Sequence, residues 1–219
     1  MSNIVELYDA GHGEDTLGKC SPDRRLLEYK KARELVRDIV AKRRAMGYDA
    51  RILVPEETDV PLKERCRRVN EVCRKVGKNN VIMVSVHCNA AGADGKWKSA
   101  GGWCVYTSPG QTKADVLATH IWNAANVHLK PYIDRFPILK AEGAYDGKQV
   151  PIRADWSDGD PDYEARFAVL TGTQCPAVLT ESLFQDNRAD VDFLLSKVGH
   201  NAIVDLHVAG VESYIKSLK

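Results

Sequence analysis

The chain has 219 residues, 31 basic against 30 acidic side chains for a formal net charge of +1, and 44% hydrophobic residues. That length suits one sizeable domain, here residues 1–219, and no repeat or low-complexity linker divides it. The charge balance excludes a strongly basic nucleic-acid binder or membrane-surface protein.

At the start, Met1-Ser2-Asn3 runs straight into the strand-like Ile4 to Asp9, without the basic segment, long apolar stretch and small-residue cleavage site of a secretory signal. No apolar run is long enough to span a membrane, so membrane insertion is not expected. The expectation is a soluble monomer made in the cytoplasm, or an exported domain from which a signal was removed. Asp9-Ala10-Gly11-His12-Gly13 ends the first strand, and Ser21-Pro22-Asp23 has the pattern of a helix start, serine as N-cap and proline at the first helical position. A long helix to about Met46, stopped by Gly47, follows. Arg51 to Val54 reads as a second strand, Leu62 to Val76 as a helix, and Val81 to Val86 as a continuous apolar strand buried on both faces.

Gly102 to Thr107 is rich in aromatic and β-branched residues and predicts a further strand, with Ala114 to Ala125 a helix after it. Residues 130–163 break into Pro, Gly, Asp and aromatic residues, an irregular segment expected to contact substrate. Phe167 to Leu170 is a short helical or extended piece, Pro176 to Glu181 the last strand, and Val191 to Gly210 a closing helix. Strands alternating with long helices predict a single α/β domain. Its twisted sheet should be mainly parallel, mixed at the Gly102 to Thr107 strand, with helices on both faces.

The six cysteines are dispersed through a chain large enough to build its own core. Cys66 and Cys73 share one helical face with Leu62, Val69 and Val76. Two turns, roughly 10 Å, separate them, beyond the ~7 Å reach of a disulfide. They read as small core residues.

Three stretches place a chemically capable side chain at the end of a buried strand or just after it: His12, His87 in Ser85-Val86-His87-Cys88-Asn89-Ala90, and Glu181 in Pro176-Ala177-Val178-Leu179-Thr180-Glu181. In open α/β sheets such residues meet in the crevice beyond the carboxyl ends of the strands. The glycines around His12 permit unusual backbone angles and close approach; taken alone, the motif reads more readily as a hydrogen-bonded loop histidine. His87 must find partners for its ring nitrogens. Cys88 points to the opposite face of its strand, which excludes an adjacent Cys-His nucleophilic pair while the strand continues.

Glu28 falls on the apolar side of the first helix with Ala32, Leu35, Ile39 and Met46. A carboxylate turned toward the core needs a cationic partner, Arg24 or Arg25, or a metal. Two histidines and a glutamate make a three-ligand zinc site that leaves a fourth position for water. Glu181 could act as general base, the alternative being a salt bridge with Arg188. Asp9 could orient a ligand.

These residues and motifs resemble, in order and over nearly the whole chain, those of the zinc-dependent N-acetylmuramoyl-L-alanine amidases found in bacterial cell-separation enzymes and phage endolysins. The resemblance implies a six-stranded sheet, one Zn2+ held by His12, Glu28 and His87, and Glu181 as catalytic carboxylate. It also implies a peptidoglycan substrate, cut at the amide between the lactyl group of N-acetylmuramic acid and L-alanine. Family members commonly have proline at Ala10 and glycine at Glu14. A zinc peptidase cutting within the stem peptide and a non-catalytic wall-binding module are the alternatives.

Asp158-Gly159-Asp160-Pro161-Asp162 mimics the start of a calcium loop, but Tyr163 and Val169 stand where glycine and glutamate are required, which excludes an EF-hand. It reads as a solvated acidic loop. His120, His128, His200 and His207 lie on predicted helices without a shared motif and read as structural or surface residues.

Overall fold

The computed structural model describes residues 4–219, so the Met1-Ser2-Asn3 lead-in lies outside the described residues. The strands are β1 (Val5–Ala10), β2 (Asp49–Ile52), β3 (Val81–Asn89), β4 (Cys104–Thr107), β5 (Tyr163–Glu164) and β6 (Ala177–Phe184). They form one sheet in the order β2-β1-β3-β6-β4-β5. Every pairing is parallel except β4 with β6, so the mixing falls at the expected strand.

Side-chain alternation along the central strands divides the core. Ile82, Val84 and Val86 of β3 face the larger cluster, built with Leu35 and Ile39 of α1 (Glu28–Ala45), Leu117 and Ile121 of α3 (Lys113–His128), and Ile203 and Leu206 of α7 (Lys197–Ser217). Val81 and Met83 face the smaller cluster with Val69 and Cys73 of α2 (Leu62–Val76) and Val169 and Leu170 of α5 (Ala168–Thr171). All six cysteines are free.

Five expectations need correction. Ser21 does not cap a helix: its hydroxyl accepts the Leu26 N–H at 3.0 Å and donates to Asp23 at 2.7 Å, while Arg24 sits at φ 60°. Local side-chain hydrogen bonds of this kind compete with helix formation. The turn closes by pairing Cys20 with Leu27, and α1 begins only at Glu28. The apolar face with Ala32, Leu35 and Ile39 is buried as expected, but Met46 lies past the helix end and is exposed.

The segment 130–163 is not irregular throughout, because Lys130–Ala141 forms α4. Its prolines hid it. Pro131 stands in the first turn, where it is tolerated, and Pro137 removes an interior hydrogen bond. Tyr132 and Phe136 offset that loss: both are buried, Phe136 stacks on Tyr145 at 4.1 Å, and the Tyr132 hydroxyl donates to Asp190 at 2.6 Å. The closing helix is two, α6 (Arg188–Leu195) and α7, divided at Ser196, whose side chain caps the second. Finally, the acidic loop is only partly solvated. Gln111 donates to Asp158 and Asp160, whereas Asp162 is buried and accepts from the Thr107 hydroxyl. Burial and the neighbouring Asp160 push the Asp162 carboxyl up to about 8.

Candidate metal centre

Asp9, Ser85, His87 and Glu181 occupy alternate positions continuing the α2-facing side of β1, β3 and β6. The register sets His87 directly beside Glu181. Between His87 and Asn89 the β3–β6 register shifts, and the ladder ends with the Asn89–Phe184 pair. Glu28 comes from the helix on the other face, and its Oε1 accepts the backbone N–H of Cys88 at 3.1 Å across the sheet edge.

His12 reaches the same point from the loop after β1. It adopts φ 57°, the left-handed region, so the unusual angle falls on the histidine itself rather than on its glycines. The glycines serve close approach: a Cβ at Gly11 would stand 2.3 Å from the His87 ring and one at Gly13 2.0 Å from the Asp59 nitrogen. Two guanidinium groups hold the His12 carbonyl, Arg33 at 3.0 Å and Arg65 at 3.3 Å. Arg65 is buried and also donates to Asp9 at 2.7 Å, Asp59 at 2.8 Å and the Ala10 carbonyl at 2.7 Å.

The structure brings the three expected ligands together. His12 Nε2 lies 3.5 Å and His87 Nδ1 3.2 Å from Glu28 Oε1, and one donor atom of each residue falls within 4.8 Å of the others. The two rings stand edge to face at 5.1 Å. Glu28 Oε2 is buried with no hydrogen-bond partner among the described residues, so its second oxygen is available as well. Arg24 and Arg25 do not pair with Glu28; Arg25 bonds Asp23 and Asp192. Burial opposes ionisation of Glu28, but the hydrogen bond and charge of His87, then His12, hold its carboxyl below the usual range. Burial lowers His12 to about 4, against the pull of Glu28. His87 moves the other way: burial is outweighed by its hydrogen bond to Glu28. Two nitrogen donors and a carboxylate in this arrangement fit zinc.

Glu181 stands beside this cluster and outside it. Its Oε2 is buried without a partner among the described residues, and Arg188 is elsewhere, over the Trp97 ring. Burial, with Glu28 adding to it, pushes the Glu181 carboxyl up to about 7 against the opposing charges of His87 and Lys19. Asp9 touches no ligand directly. It accepts from Ser85 Oγ at 2.6 Å, and that hydroxyl lies 3.2 Å from His87 Nε2.

A cavity of about 610 Å³ opens over the cluster, bordered by Val60, Pro61 and Leu62 on one side and Phe167, Ala168 and Val169 on the other. None of its lining residues comes from 130–163. Sequence reasoning missed Lys19, which lines this cavity and whose charge is felt at both His12 and Glu181. It also missed the Arg33–Arg65 clamp, whose one sequence signal is an arginine in line with the apolar face of α2. His207 is buried between Thr180 and the Ile203 carbonyl, and His200 bridges Lys31 and Asp38, as structural histidines.

Residues 7–213 match the N-acetylmuramoyl-L-alanine amidase family. Among solved structures, the chain is similar to an N-acetylmuramoyl-L-alanine amidase from Clostridium difficile 630, with TM-score 0.73 and 20% identity over 100% of both chains. It is also similar to the amidase AmiC2 of Nostoc punctiforme, with TM-score 0.69 and 20% identity over 98% of each chain. The catalytic domain of the CD27L endolysin targeting Clostridia difficile gives TM-score 0.61 and 19% identity over 96% of this chain and 97% of that one. No curated protein matches the chain.

Proposed function

The chain belongs to the N-acetylmuramoyl-L-alanine amidase family, and from that premise we propose that it is a zinc-dependent hydrolase of the amide between the lactyl group of N-acetylmuramic acid and the L-alanine of the peptidoglycan stem peptide. The observation that carries this reading is a carboxyl group left free beside a three-donor cluster. His12, Glu28 and His87 converge on one point, while Glu181, next to His87 across the ladder, keeps an oxygen without a partner among the described residues.

Zinc held by His12, Glu28 and His87 would supply Lewis acidity toward the carbonyl and lower the pKa of a water at the open position. The remaining work falls to side chains. Glu181 takes a proton from the attacking water and passes it to the leaving nitrogen, the role of a buried carboxyl with its pKa displaced toward neutrality. Asp9, through Ser85, fixes the rotation of the His87 ring. Arg33 and Arg65 fix the loop that presents His12. The apolar borders of the cavity exclude water around the scissile bond.

In this reading the enzyme works on the cell wall as a monomer, in the manner of a lytic endolysin. No helix among the described residues is long and apolar enough to cross a membrane. The deciding experiment digests purified peptidoglycan with the zinc-loaded chain and identifies the products by mass spectrometry. Sugar strands freed of intact stem peptides are expected. Shortened peptides still attached to muramic acid would instead make it a zinc peptidase, and no products from metal-loaded protein a wall-binding module.

A further inference from the structure

Outside the metal centre the structure sets two cysteines against one another. We propose that Cys73, in the last turn of α2, and Cys175, just before β6, are a disulfide site, oxidised by a small-molecule or protein disulfide as the chain folds in a non-reducing compartment. The site is independent of what the metal centre cleaves.

One face of α2 is laced to the segment that leads into β6. Cys66, Asn70 and Cys73 recur at intervals of four and three, so they project from the same side of the helix on successive turns. They meet that segment in order. Cys66 Sγ donates to the Ala168 carbonyl at 3.3 Å. Asn70 Nδ2 donates to the Gly172 carbonyl at 2.8 Å, and Asn70 Oδ1 accepts the Gln174 N–H at 2.9 Å. Glycine at 172 allows this approach, since a Cβ there would stand 2.8 Å from Cys66 Sγ. One turn further along α2, Cys73 meets Cys175, thiol to thiol within hydrogen-bond reach. Both are buried in the smaller core cluster, 3% and 8% exposed.

Cys175 is held from both sides. Asn70 grips the chain before it, and after it the Pro176 carbonyl accepts the Met83 N–H at 3.0 Å while Ala177 pairs with Met83. Side chains pointing at one another from two fixed backbones meet the geometric condition for a cross-link. Cys66 and Cys73, two turns apart on one helix, do not.

The chemistry is thiol–disulfide exchange. The thiolate of one cysteine attacks the external disulfide and expels one thiol, and the other cysteine then attacks the mixed disulfide and expels the second. Two protein thiols are oxidised, one external disulfide is reduced to two thiols, and the protein's two protons end on them. Burial pushes both thiols up, so the folded chain offers little thiolate and the link forms while the chain folds. Once made, it ties α2, which carries Arg65, to β6, which carries Glu181, and closes a loop of about 100 residues.

The test refolds the wild-type chain from urea in reduced and oxidised glutathione, digests it without reduction and reads the peptide masses. One linked peptide pair carrying Cys73 and Cys175 is expected, with the other four of the six cysteines free. The linked protein should melt about 5–15 °C above the reduced protein, the scale for closing a loop of about 100 residues in a chain of this size. Cys73→Ser and Cys175→Ser should each lose the linked pair and the glutathione-dependent rise, whereas Cys66→Ser keeps both. Six free thiols after refolding, a link through any other cysteine, or linked protein that melts no higher than reduced protein overturns the proposal. None of these readouts involves hydrolysis, so the amidase reading stands or falls separately.

Discussion

The strand that carries Glu181 is braced from behind by a histidine whose neutrality sets a measurable pH dependence. Thr180 and Glu181 point to opposite faces of β6; on the α7 side, His207 Nε2 lies 2.8 Å from Thr180 Oγ1, and Nδ1 lies 2.7 Å from the Ile203 carbonyl. A carbonyl only accepts, so Nδ1 carries the proton and Nε2 accepts from the threonine hydroxyl. Burial lowers the imidazole from 6.5 to about 4, against the hydrogen bond to Ile203. Between those values the unfolded chain binds a proton that the native chain refuses, so stability is complete above pH 6.5 and falls as pH drops toward 4. A shift of about 2.5 units corresponds to about 3.4 kcal/mol in full, of which about 2 kcal/mol is lost between pH 7.5 and 5. Urea unfolding of wild type and His207→Gln at several pH values isolates this contribution, since the His12, Glu28 and His87 cluster titrates alike in both. The variant should start less stable at pH 7.5 and lose about 2 kcal/mol less than wild type on going to pH 5. Parallel pH profiles for the two proteins would refute the reasoning.

Glu181→Gln should bind zinc as wild type does while hydrolysis falls by about 10²–10⁴-fold, the range of a lost general acid-base group; metal analysis alongside turnover checks both, and normal turnover would end the role assigned to Glu181. Ser85→Ala breaks the link between Asp9 and His87 and should weaken zinc affinity by about 10–100-fold in a competition titration with a chelator; unaltered affinity would mean the ring is held without it. Arg43 is fully buried between Glu6 at 2.6 Å and Glu212 at 2.6 Å, so Arg43→Ala leaves an uncompensated buried charge. It should cost about 3–5 kcal/mol in chemical denaturation, and a loss under about 1 kcal/mol would show that water reaches Glu6.

The central strands were legible because their chemistry repeats with period two. The apolar run Val81 to Val86 announces a strand buried on both faces, and His87 at its end has to lie at the sheet edge whatever the topology. The Leu62–Val76 helix was legible to the residue because its apolar spacing is regular and Gly77, at φ 89°, stops it. Where local and tertiary preferences disagree, reading failed. Ser21-Pro22-Asp23 satisfies every rule for a helix start, yet the same hydroxyl closes a turn instead, and only the packing of Leu26 and Glu28 decides between them. The two prolines of α4 argue against a helix that Tyr132, Phe136 and Asp190 then hold. Glu28 was legible as a misplaced charge on an apolar face. Lys19 carries no such contradiction in sequence, since a lysine in a loop is ordinarily a solvated residue, and Arg65 carries only the faint one of an arginine in line with the apolar face of α2.

The polar groups behind the site run in one direction, and that direction fixes which nitrogen of His87 the proposed metal would meet. Arg65 donates to Asp9 Oδ1, leaving Oδ2 to accept from the Ser85 hydroxyl, whose single proton is then spent. Ser85 Oγ can only accept from His87 Nε2, so that nitrogen keeps its proton, and Nδ1, which otherwise donates to Glu28, is the one whose proton a bound cation would replace. His12 reaches the same condition by other means: with its pKa held near 4 by burial, it is neutral at pH 7 and free to donate a lone pair. The left-handed backbone at His12 costs on the order of 1–3 kcal/mol, and the two guanidinium hydrogen bonds to its carbonyl offset it. A loop histidine that merely filled space would need neither the strain nor the clamp. The arrangement is accounted for if the imidazoles must present unprotonated nitrogens to one cation, with Glu181 kept outside that set to handle protons.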